Sequence, residues 1–235
     1  MPSSAPVLVS IHMPKTAGLS FRAALEEHYG AGFAPDYADY PLASPLPQRH
    51  AAALEFSLAA EPSAYRQVGC IHGHFLPIKY LLLADYMECR FVTWLREPLQ
   101  RLVSHYYYWQ RSYDPAADDT SSLHRRVVEE AWTLEQFCLA PELRNVYSQF
   151  LWAFPLRALD FVGITEYFAE DLRDFSTQFL GINVEPQFAN AAEVPAGPEQ
   201  LRPRLRQQVR EFHAQDLALY QWALQKREAR RQALL

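Results

Sequence analysis

Short apolar runs alternate along this chain with stretches in which apolar residues recur every three or four positions. Val7-Leu8-Val9-Ser10-Ile11 reads as a buried strand, and beyond His12 the chain runs into a helical pattern over Arg22–Tyr29. Val68 to Phe75 reads as a second short strand, in which a period of two puts His72 and His74 on one face and Gly73 leaves room for a close approach to the backbone. Phe91 to Leu95 is a third, β-branched and aromatic enough to be buried; Pro98 then suits a first helical position, and Leu99, Leu102, Val103 and Tyr106 follow at helical spacing. Phe161 to Phe168 is a strand turning into a helix. Leu205, Val209, Phe212 and Tyr220 form the apolar stripe of a helix over about Pro203–Arg227, read as a packing element. Strands that alternate with helices predict an α/β fold with a central, mostly parallel sheet flanked by helices. With 49% hydrophobic residues and no shift of composition along 235 residues, one domain over 1–235 is the simplest expectation. The stretches Gly30–Pro47 and Tyr113–Ser122 read as loops, either ligand-binding lids or plain surface connections.

Candidate chemistry gathers where strands give way to helices. Residues 12–21, HMPKTAGLSF, join the first strand to its helix through a tight loop holding one lysine. Backbone N–H groups, the positive end of a helix dipole and the charge of Lys15 together make an anion cradle. It is not a Walker A loop, because its one glycine, Gly18, follows the lysine. Arg96 lies at the carboxyl end of the third strand, the edge at which open α/β sheets bind ligands. Arg101, Ser104, His105 and Tyr108 share one face of the helix that follows, where a guanidinium beside a hydroxyl can grip a phosphate monoester. His72 and His74 are open to reading as metal ligands, general bases or core residues, although no CxxC, HxxxH or HExxH supplies further zinc ligands.

Pro14-Lys15-Thr16-Ala17-Gly18-Leu19-Ser20-Phe21 resembles the 5′-phosphosulfate loop of sulfotransferases that use 3′-phosphoadenosine 5′-phosphosulfate (PAPS). Arg96-Glu97-Pro98, Arg101, Ser104 and Tyr106 are similar to the 3′-phosphate motif of the same enzymes, over residues 96–106. The His-Gly-His between them resembles the catalytic segment of the heparan sulfate 2-O-sulfotransferase group. This resemblance implies a P-loop-like fold and PAPS as co-substrate, held by Lys15, Thr16, Ala17, Gly18, Leu19, Ser20, Phe21, Arg96 and Ser104. It implies His74 as the base that takes the acceptor proton, His72 as its supporting or acceptor-orienting partner, and Lys15 as the charge that meets the leaving oxygen. The acceptor would be a hydroxyl on a carbohydrate or small metabolite. No metal would be needed, since a sulfuryl group carries less charge than a phosphoryl group. Leu19 stands where the loop usually has threonine, which removes one hydroxyl donor, and Glu97 replaces an aspartate. Arg144–Gln149, the segment Val162-Gly163-Ile164-Thr165-Glu166, and Asp216 to Tyr220 resemble later family segments that are equally readable as structural. A small-molecule kinase and a non-catalytic nucleotide-binding module remain the alternatives; a kinase calls for a true Walker A and an acidic magnesium ligand after a strand, where this chain has Arg96.

A formal net charge of −5 argues against nucleic acid and against a long polyanion as a delocalised electrostatic partner. Three cysteines, Cys70, Cys89 and Cys138, without motif spacing, read as free thiols in a reducing compartment. The first residues, Met1 to Pro6, carry no basic region and no long apolar run, so neither a signal peptide nor a membrane anchor is expected; with the resemblance, this points to a cytoplasmic, bacterial enzyme.

Overall fold

The structure is a computed structural model and describes residues 5–39, 42, 44–117, 120–182, 184 and 198–233. The strands are β1 (Val7–Ile11), β2 (Phe33–Pro35), β3 (Cys70–Gly73), β4 (Cys89–Leu95) and β5 (Leu159–Ile164). They form one sheet in the order β2-β3-β1-β4-β5, with every neighbouring pair parallel. The helices are α1 (Gly18–Tyr29), α2 (Leu46–Ala59), α3 (Ile78–Leu81), α4 (Pro98–Ser112), α5 (Ser122–Glu129), α6 (Leu134–Cys138), α7 (Val146–Phe150), α8 (Phe168–Phe175), α9 (Pro203–Phe212) and α10 (Ala214–Gln232). This is the expected α/β, P-loop-like class. None of these helices is long and apolar enough to cross a membrane.

Alternation along β1 divides the core. Val7, Val9 and Ile11 face α7 and α10, packing with Val146, Phe150, Tyr220 and Ala223. Leu8 faces α1 and α8, in a cluster with Phe21, Leu25, Trp94, Phe168 and Phe175. A third cluster joins α4 to α5, α6 and α9 through Leu102, Val127, Phe137 and Val209. Winding reverses about β1: the chain passes to β2 and β3 on one side, then to β4 and β5 on the other. The carboxyl ends of β3, β1 and β4 therefore stand side by side at the switch point.

Two expectations need correcting. The Gly30–Pro47 stretch is not all loop, for it contains the 3₁₀ turn Gly30–Gly32, edge strand β2 and the first residues of α2; residues 40, 41 and 43 lie outside the described set. Three residues suffice for β2 because their backbone pairs with β3, a long-range interaction that local composition does not signal. The helix expected over 203–227 is two helices, parted at His213. That residue's ring is held between the Asn145 N–H (3.2 Å) and the Cys138 carbonyl (2.8 Å), which fixes its backbone off the helical path. In the Tyr113–Ser122 stretch, residues 118 and 119 lie outside the described set, and α5 starts at Ser122.

Candidate active site

The β1–α1 loop is built to expose backbone. Lys15 (φ 64°) and Ala17 (φ 63°) both adopt left-handed conformations, each costing about 1–3 kcal/mol for a residue with a Cβ. Alternating handedness folds successive N–H groups towards one concavity, an anion nest. Anchors on both sides hold it: Met13 is buried, and the buried Thr16 hydroxyl donates to the Met13 carbonyl at 2.9 Å. Ala17, at the N-cap of α1, offers no side-chain acceptor, so the N–H of Gly18 and its neighbours in the first turn lack the usual cap. Leu19, 57% exposed, sits on the rim and adds no donor there. Phe21 packs instead of facing the loop: its ring lies 5.2 Å from Trp94 and 4.9 Å from Phe175, and its N–H bonds the Ala17 carbonyl at 3.3 Å.

The Lys15 ammonium lies over the Tyr108 ring, 3.9 Å from its centroid. Burial, and then the nearby positive charges of Arg96 and Arg111, lower its pKa to about 8. Three cations thus converge without a carboxylate partner: among the described residues neither Arg96 nor Arg111 makes an ion pair, and the Ser104 hydroxyl has no hydrogen-bond partner. Cations held together at such a cost favour an anion. Of the tyrosines on α4 it is Tyr108, just beyond this motif, that meets the loop. Tyr106 turns away, donating to the Trp132 carbonyl at 2.9 Å and packing on Phe137. Arg101 is fully buried beside the Tyr147 ring, so it is not a surface ligand.

On the other flank β3 ends at Gly73, and a Cβ there would fall 1.6 Å from the Asp36 carbonyl oxygen. The close approach anticipated at Gly73 is thus that of the chain just after β2. His72, paired in register with Ser10, is buried with its Nδ1 2.8 Å from the Ser10 hydroxyl. Burial, with His74 and Arg22 nearby, lowers its pKa to about 3, so it stays neutral. His74, one residue past the strand, has Nδ1 2.6 Å from the His12 carbonyl oxygen. A carbonyl only accepts, so Nδ1 carries the proton and Nε2 is the basic nitrogen. Burial lowers the His74 pKa, and the bond to His12 opposes that shift in part.

His12 joins the two histidines. Its ring is nearly parallel to both, with centroids 5.1 Å from His72 and 4.3 Å from His74. Its Nε2 occupies the space beside Gly18, where a Cβ would come within 1.6 Å, and its pKa is held well below 6.5 by burial and by the flanking imidazoles. His12, Tyr108 and Arg111 were not singled out as site residues by sequence reasoning. His12 precedes the loop pattern, but nothing local indicates that its ring turns towards β3; Tyr108 was legible only as a member of the right helix face.

Lys15, His74 and Arg96 thus stand just beyond the ends of three neighbouring strands, with a nest of N–H groups between neutral imidazoles on one side and cations on the other. Such an arrangement can bind a multiply charged anion at its cationic end and accept a proton at its histidine end.

No family model and no curated protein matches the chain. Among solved structures, a sulfotransferase from Alicyclobacillus acidocaldarius is 16% identical, with 91% of this chain and 93% of that one covered and a TM-score of 0.48. Mouse sulfotransferase SULT7A1 complexed with PAP is 12% identical over 98% of this chain and 91% of that one, also at a TM-score of 0.48. At such identity and superposition neither likeness assigns a role to any residue.

Proposed function

We infer that this protein is a PAPS-dependent O-sulfotransferase acting on a hydroxyl of a carbohydrate or small metabolite, and that residues 1–235 form one sulfotransferase domain. The observation that carries this reading is the meeting of Lys15, His74 and Arg96 around an uncapped, left-handed loop at the switch point of a parallel sheet. In it, the loop N–H groups and Lys15 hold the 5′-phosphosulfate, with Thr16 bracing the turn, while Arg96 and Ser104 hold the 3′-phosphate. His74 takes the acceptor's hydroxyl proton on Nε2 as the acceptor oxygen bonds to sulfur and the sulfur–oxygen bond to the 5′-phosphate breaks. Lys15 neutralises the charge that grows on the departing phosphate oxygen, an interaction that strengthens towards the transition state and so accelerates the step. His72, neutral and bonded to Ser10, supports the histidine cluster from beneath. The cationic end suits the product nucleotide 3′-phosphoadenosine 5′-phosphate (PAP), whose two phosphates need two separate grips.

The test is incubation with PAPS and a panel of hydroxylated acceptors, read by sulfate transfer. Wild type should form a sulfate ester, and kcat should fall only as pH drops below about 6.5, because burial lowers the His74 pKa from that reference. His74→Ala should bind PAP nearly as wild type does, while turnover drops by roughly 10²–10⁴. PAP binding without transfer to any acceptor would favour a non-catalytic nucleotide-binding module.

A further inference from the structure

Three segments outside the two nucleotide motifs converge on a single turn. Pairing of β4 with β5 ends at Leu95 and Ile164, after which β5 turns away, leaving the Arg96 and Glu97 peptides without a strand neighbour. Both are held by side chains. The Tyr147 hydroxyl accepts from the Arg96 N–H (3.0 Å) and donates to the Arg96 carbonyl (2.7 Å), satisfying both backbone groups of that residue. The Glu97 N–H donates to Glu166 Oε1 (2.8 Å), and the Thr165 hydroxyl donates to the Leu95 carbonyl (3.0 Å).

Two of these holders, Tyr147 and Glu166, are themselves held from α10. Asp216 accepts the N–H groups of Tyr147 and Ser148, both at 3.1 Å, and fixes the first turn of α7. Tyr220, one helical turn on, donates to Glu166 Oε2 at 3.2 Å. Asp216 and Tyr147 are fully buried, and the Arg101 guanidinium, 5.4 Å from the Tyr147 ring, adds a buried positive charge near Asp216. The spacing of four residues puts Asp216 and Tyr220 on one helix face, so α10 grips the turn at two points.

We propose that Tyr147 and Tyr220 are positioning residues through which α10 sets the Arg96 guanidinium for the nucleotide's 3′-phosphate. The proposal rests on the reading that Arg96 grips that phosphate. It gives α10, whose apolar stripe suggested packing alone, a part in nucleotide choice. A bidentate guanidinium grip demands direction as well as charge, and a turn free to rotate about the Arg96 peptide keeps the charge and loses the direction.

Calorimetry with PAP and with AMP on wild type, Arg96→Ala, Tyr147→Phe and Tyr220→Phe tests it, with thermal melts confirming that each variant is folded. Tyr147→Phe retains the buried ring and removes only the hydroxyl. It should weaken PAP about tenfold and leave AMP unchanged, because AMP lacks the 3′-phosphate; Tyr220→Phe should do the same to a smaller degree. A purely structural role would weaken both ligands alike and would overturn the proposal. So would a folded Tyr147→Phe that keeps the full PAP-over-AMP preference, provided Arg96→Ala abolishes it. Should Tyr147→Phe not fold, an unchanged PAP-to-AMP ratio in Tyr220→Phe overturns the proposal equally. If wild type shows no preference for PAP, or Arg96→Ala keeps one, it is the assignment of Arg96 that fails.

Discussion

At the scale of single residues, the site relies on charges held at unfavourable values. Lys15 is cationic below a pKa of about 8 and neutral above it, because burial and the nearby guanidinium groups of Arg96 and Arg111 penalise its charged form. A phosphate or phosphosulfate reverses that penalty, so binding raises the pKa and draws in a proton. PAP affinity should therefore decline as pH rises through 8. Calorimetry at pH 8 in buffers of different ionisation enthalpy should register uptake of roughly half a proton. Lys15→Arg should abolish the uptake; none in wild type would mean that Lys15 does not meet the anion. His12, His72 and His74 show the converse, since burial disfavours the charged form of each imidazole and keeps it neutral.

At the scale of elements, the loop and the short strand β2 depend on close approaches that a single methyl group would spoil. β2 is three residues long, yet the chain leaving it carries Asp36, whose carboxylate accepts from Lys79 (2.7 Å) and Tyr80 (2.6 Å). Its approach to β3 passes directly over Gly73. Gly73→Ala would drive a Cβ into the Asp36 carbonyl, a backbone atom that cannot rotate aside. The variant should lose about 1–3 kcal/mol in urea unfolding and should displace His74 as well. Wild-type stability would show that the β2 edge is soft. Gly18 makes a parallel demand through the His12 ring, but a side chain has more freedom to shift than a carbonyl.

At the scale of the whole molecule, the C-terminal helix closes the structure over β5. Asp171, fully buried on α8, accepts from the Ile164 N–H (2.8 Å) and from Arg227 Nε (2.8 Å), with Arg230 at 3.2 Å. Removing its charge would leave Arg227 to the exposed Glu170 and Arg230 to Asp174, 3.8 Å away, at a buried seam. Asp171→Asn should therefore cost about 3–5 kcal/mol, measured by denaturant midpoint, whereas Glu170→Gln, at the exposed end of the same network, should cost under about 1 kcal/mol. Equal losses would show that solvent screens the whole network. The same helix reaches the Arg96 turn from its first half, so α10 couples the closure of the fold to the cationic end of the site.

Much of this arrangement is written locally. Val7–Ile11 and Phe91–Leu95 are apolar but for the buried Ser10 and Thr93 because both faces of their strands are covered, and a strand so covered has to sit inside an α/β sheet. Lys15 and Arg96 each follow such a run, which makes them candidates from the chain alone, whereas His74 is one through the resemblance of the His-Gly-His segment. Distance along the chain hid the rest. No local pattern states that β3 and β4 flank β1; that follows from the crossovers and the packing of α1, α7, α8 and α10 on the two faces. The division of the last helix at His213 depends on hydrogen bonds to Asn145 and Cys138, far away in the chain. The His12 stack and the Tyr147 bonds to Arg96 are likewise long-range. Periodicity reports which face of an element is buried, because burial acts on every turn of it; which partners meet there is decided only when the sheet closes.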